Sequence, residues 1–82
     1  MIIIHPHAIQ RLSERGATED EVILTVKTGE QFIAKHGRTG FRLNFLYNNL
    51  WNGKHYASKQ IEAYAVLEND TWMVITLIVK FF

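Results

Sequence analysis

His7, Arg11 and Arg15 are spaced at steps of four, which places them on one row if the segment from Pro6 to Arg15 is helical. A histidine side chain can take or give a proton near neutral pH, and the planar arginine fork can hold two phosphate oxygens at once. Together these residue types suit cleavage of RNA by its own 2′-hydroxyl. That reaction needs a base for the hydroxyl proton, cations for the extra charge on a pentavalent phosphorane, and an acid for the departing 5′-oxygen. Later in the chain Lys59 and Lys80 supply compact charge, and Tyr64 and Thr76 supply hydroxyls. An ordinary helix surface accounts for the same row: Arg11 and Arg15 can pair with Glu14 or with the acids at 19–21, and His7 can pack locally.

Other chemistries find little support. His5 and His7 straddle Pro6 with no carboxylate at a familiar ligand spacing, so neither a metal site nor a cofactor is expected. Gly37 and Gly40 lack the lysine and helix that complete a phosphate-binding loop. There is no cysteine, which removes thiol nucleophiles and disulfides, and Ser13 and Ser58 fall where a helix surface and a loop are expected.

The elements that must position these groups follow from periodicity. Pro6 suits the first helical position, with His5 near the cap, and Gly16 suits the end, giving a first helix with Ala8, Ile9 and Leu12 on its apolar stripe. Thr18 and Glu21 form a capping box for a second helix from Glu19 to Thr28, with Val22, Ile23 and Val26 buried. After Gly29 the pattern alternates, which predicts strands over 31–35, 41–47, 60–68 and 71–82. The polar stretch 48–58 reads as a long loop, and Asn69-Asp70 as a tight turn. In the last strand Met73, Ile75, Leu77, Val79 and Phe81 would share one face, with Trp72, Thr76 and Lys80 on the other.

The expected fold is therefore α+β, one domain over residues 1–82, with two N-terminal helices on one face of a three- to four-stranded antiparallel sheet. The other face would present Arg42, Tyr64, Thr76 and Lys80. Net charge is only +1, but no acid occurs between Glu30 and Glu62, where Lys35, Arg38, Arg42, Lys54 and Lys59 all fall. A local positive face on a nearly neutral chain suits a polyanion. The N-terminus lacks the features of a signal peptide, and the longest apolar run is too short to span a bilayer, so a cytoplasmic protein without membrane attachment is expected.

The order His7-Ala8, Arg11-Leu12, Arg15-Gly16, Thr18, Glu21-Val22, Gly29-Glu30 and Val74-Ile75-Thr76 resembles the small bacterial family called domain of unknown function 4258. The resemblance spans most of the chain. That family is similar in expected fold to the ribonuclease-toxin group containing barnase, EndoU, the tRNA-cleaving colicins and RelE-like toxins. It implies metal-independent RNA cleavage by His7, Arg11, Arg15 and Thr76; residue type and place on the strands make Arg42, Lys59, Tyr64 and Lys80 the candidate RNA-binding residues. RNA is then the expected partner, and an antitoxin protein a second one. Two other possibilities stay open on the residues alone: a non-catalytic RNA- or protein-binding module, and a homodimer formed through apolar residues such as Leu50 and Trp51.

Overall fold

The computed structural model describes all 82 residues. In chain order, Ile2–Ile4 form β1, Pro6–Arg15 α1, Glu19–Thr28 α2, Glu30–Ile33 β2, Thr39–Trp51 β3, Lys54–Glu68 β4 and Thr71–Phe81 β5. The fold is α+β, with five strands in one sheet in the order β1-β5-β4-β3-β2.

The sheet is mixed, because β1 runs parallel to β5 while every other pair is antiparallel. An antiparallel sheet of three or four strands is thus corrected by one strand. Three isoleucines are too few to display a period, and their partner lies at the far end of the chain.

Both helices form for local reasons. Pro6 occupies the first turn of α1, and the Nδ1 atom of the capping His5 accepts a hydrogen bond from the His7 amide at 3.1 Å. Gly16 ends α1 in the left-handed conformation. At α2 the capping box closes from both sides: the Glu21 amide donates to Thr18 Oγ1 at 3.2 Å, and the Thr18 amide donates to Glu21 Oε1 at 3.0 Å.

The helices bury Ala8, Leu12, Val22 and Val26 against Phe41, Ile61, Ala63, Ala65, Val74 and Leu77 of the sheet. Removing a side chain such as Ile61 from water contributes roughly 1.5–3 kcal/mol. Small alanines along β4 let α2 approach closely. Ile9, expected on the buried stripe, is 41% exposed.

Two further expectations change. Residues 48–58 are mostly strand, since β3 and β4 continue as a long hairpin turning at Asn52-Gly53, both with positive φ. A register shift between Leu46 and Asn49, with Asn48 at φ 47°, interrupts the pairing near its middle.

In β5, Tyr64 pairs with Thr76 but Ala65 pairs with Val74, leaving Ile75 as a bulge. The bulge reverses the alternation of the strand. Val74 therefore joins Leu77 in the core, and Trp72 packs there too, its ring meeting Phe41 edge-on at 5.0 Å. The single apolar face expected from Met73 to Phe81 is broken at Ile75.

Candidate functional site

The bulge in β5 and the start of α1 meet. β1 ends with Ile4 opposite Val74, and the His5 amide donates to the Val74 carbonyl at 2.9 Å, so α1 begins beside the irregularity. There His5, His7, Arg11, Arg38, Ile75 and Thr76 line an open cleft of about 490 Å³. Bulges often re-aim side chains at such places, and Thr76 takes its position directly after this one.

The two imidazole rings stand 5.1 Å apart. Because His5 Nδ1 accepts the His7 amide, a neutral His5 carries its proton on Nε2, where it can donate to an anion. His7 is exposed, and its ring is not engaged in a hydrogen bond or ion pair within the chain.

Arg38 comes from the tight connection between β2 and β3. Its amide donates to the Lys35 carbonyl at 3.2 Å and its carbonyl accepts from the Ala34 amide at 3.1 Å, with His36 and Gly37 at positive φ. No carboxylate lines the cleft, and neither Arg11 nor Arg38 joins any of the four ion pairs of the molecule. Two guanidiniums outside any ion pair, two imidazoles and a hydroxyl therefore face one open volume.

The other expected site residues lie elsewhere. Arg15 leaves the row: its Nη1 donates to the Leu77 carbonyl, and its side chain lines a separate hollow with Trp51 and Phe81. The cause is position, because the last turn of α1 lies over the middle of β5 while the first turn lies at the bulge.

Lys59 also lies away from this cleft. It is 5% exposed, on the helix side of the sheet, where its ammonium donates to the Gly16 carbonyl at 2.7 Å and to Glu21 Oε1 at 2.8 Å. Alternation along β4 requires this, since Lys59 shares its face with Ile61 and Ala63.

Arg42, Tyr64 and Lys80 do lie on the second face, but all three converge on Glu62, which is 6% exposed. Arg42 Nε lies 3.8 Å from Glu62 Oε2 and 3.5 Å from Glu30 Oε1, while Lys80 Nζ lies 3.6 Å from Glu62 Oε2. The Arg42 contacts are ionic rather than aligned hydrogen bonds, leaving its buried Nε–H without a directed acceptor.

The Tyr64 hydroxyl donates to Glu62 Oε1 at 3.1 Å. Burial, then the hydrogen bond to Glu62 and the charge of that carboxylate, raise its pKa above the ordinary value near 10, partly opposed by Arg42.

Sequence reasoning missed Arg38 and His5 as lining residues of this cleft. A basic residue directly after a tight His-Gly turn was a usable signal for the first. The second depends on the capping geometry.

No helix is long and apolar enough to cross a membrane, and no three His, Cys, Asp or Glu side chains cluster in a way that could hold a metal ion. Comparisons with protein-family models, with curated proteins and with solved structures return no match for this chain.

Proposed function

We propose that this protein is a toxin-like endoribonuclease of the cytoplasm that cleaves single-stranded RNA without a metal ion, through attack of the 2′-hydroxyl on the adjacent phosphate. The observation that carries this reading is the convergence of His7, Arg11 and Thr76, with Arg38, on one cleft free of carboxylates. It also accords with the resemblance to the ribonuclease-toxin group.

His7 takes the 2′-hydroxyl proton as the new O–P bond forms, and returns it, directly or through water, to the 5′-oxygen as the P–O5′ bond breaks. Arg11 and Arg38 hold the phosphate and offset the charge of the phosphorane, with the Thr76 hydroxyl and His5 Nε2–H as neutral donors. The products are a 2′,3′-cyclic phosphate and a free 5′-hydroxyl. Arg15 and Lys59 take no part.

The test is incubation of purified protein with total RNA in EDTA, with the new ends identified chemically. His7→Ala and Arg38→Ala should each lower the cleavage rate about a hundredfold or more, whereas Arg15→Ala should cleave at close to the parental rate. Intact RNA after incubation with folded parental protein would refute the enzymatic reading.

A second reading, a non-catalytic RNA- or protein-binding module with an antitoxin or a second copy as partner, is favoured by the apolar residues around the β3 edge. Ile33, Leu46 and Leu50 are 97%, 95% and 61% exposed. Under that reading His7→Ala alters binding alone.

A further inference from the structure

Next to the cleft lies a second open cavity of about 590 Å³, and the two share Arg38 and Thr76 as a common wall. Its character differs. Phe32, Ile33, Ala34 and Tyr64 supply apolar and aromatic surface, and Lys35 and His36 stand at its rim without any acid.

The aromatic part is built across four strands. Phe32 pairs with Gly40, Gly40 with Tyr64 and Tyr64 with Thr76, so these residues form one row on the second face of the sheet. Gly40 is required for this row, because a Cβ there would come within 2.3 Å of the Phe32 ring. With that space free, Phe32 leans over the glycine to meet Tyr64 edge-to-face at 6.0 Å, and the Arg42 guanidinium lies 4.1 Å from the ring centroid. The Tyr64 ring is fixed in turn by its hydroxyl bond to Glu62. The wall is thus rigid, aromatic and flanked by cations.

We infer that this cavity is a nucleobase-binding subsite, which receives a base of single-stranded RNA against Phe32, Ala34 and Tyr64 while the attached phosphate lies between Arg38 and Arg11 in the adjoining cleft. The occupant follows from continuity and charge. A ligand spanning both cavities must carry an anionic group next to a flat apolar one, and a nucleotide does. The volume falls within the usual range for small-ligand pockets. The role of Arg38 is to couple the two, since it faces both.

The inference rests on the ribonuclease reading for its ligand class, yet it is tested by binding rather than by turnover. Inorganic phosphate and each of the four nucleoside 3′-monophosphates are titrated into the parental protein, with ring signals of Phe32 and Tyr64 followed by NMR. At least one nucleotide should bind about tenfold or more tightly than phosphate, and should shift both rings. Phe32→Leu, which keeps an apolar side chain, should bring nucleotide affinity down toward that of phosphate, and Arg38→Ala should weaken both ligands. Equal affinity for phosphate and all four nucleotides, or nucleotide binding that leaves the Phe32 and Tyr64 signals unmoved, overturns the subsite. The parental comparison needs no variant to fold. Nucleotide binding in a protein that leaves RNA intact would end the catalytic reading and keep the subsite; cleavage of RNA with no preference for nucleotide over phosphate would do the reverse.

Discussion

Tyr64 connects the stability of the sheet to the proposed binding surface. Its raised pKa means that the folded state keeps the phenolic proton to higher pH than the unfolded chain does. The stabilisation is therefore fully present below the ordinary value near 10, and is lost as pH rises from there through the folded value. Tyr64→Phe removes this ionisation, so the gap in urea midpoint between the variant and the parent should narrow or reverse from pH 9 to pH 11. A gap that stays constant over that range would show that the Glu62 carboxylate and burial do not hold the proton. At this scale the types of the site residues were legible in the sequence, but their pairing was not. Arg42, Tyr64 and Lys80 read as free groups on an exposed face, whereas Glu62 draws all three together because a carboxylate in the middle of a sheet must be compensated. His7 and Arg11 face a cleft that no carboxylate lines, and Arg11 joins none of the ion pairs.

Lys59 is the point at which two helices and a strand are tied together. Its ammonium satisfies the Gly16 carbonyl at the end of α1 and the Glu21 carboxylate in the first turn of α2, so it fixes the corner between them. Lys59→Met keeps the apolar stem but leaves both acceptors without this donor, and should cost about 2 kcal/mol in urea denaturation. Cleavage per folded molecule should not change. A variant as stable as the parent would indicate that water replaces the ammonium at no cost. The helices themselves were readable in sequence because their stop signals and the capping box are local, and α2 runs over the expected residues 19–28. The hairpin at Asn52-Gly53 was also signalled locally, since that dipeptide favours the tight turn, but the polar residues around it favoured a loop by composition. The bulge at Ile75 had no such signal. Trp72, Met73, Val74 and Ile75 are all apolar, so either alternation satisfies the pattern.

For the whole molecule, a net charge of +1 restricts how RNA could be held under the proposed function. Attraction must come from the local group around the two cavities, chiefly Arg11, Lys35 and Arg38. Three phosphate contacts on a single strand predict a slope of about −2 when the logarithm of affinity is plotted against that of salt concentration. Measured with a non-cleavable 2′-deoxy oligonucleotide, a slope twice as steep would place the strand on a wider basic surface than these cavities offer. The molecule is elongated, 41 × 23 × 21 Å. What the sequence determined by itself was local: the caps, the two helices, the main strand segments, the α+β class and the row of His7 and Arg11, all set by contacts within a few residues. The tertiary structure alone decided that β1 pairs in parallel with β5, that Ile75 bulges, that Arg15 and Lys59 serve the scaffold, and that Arg38 and Thr76 join the histidines. Each of those depends on segments far apart in the chain meeting at one register, and register is selected by the packed core as a whole.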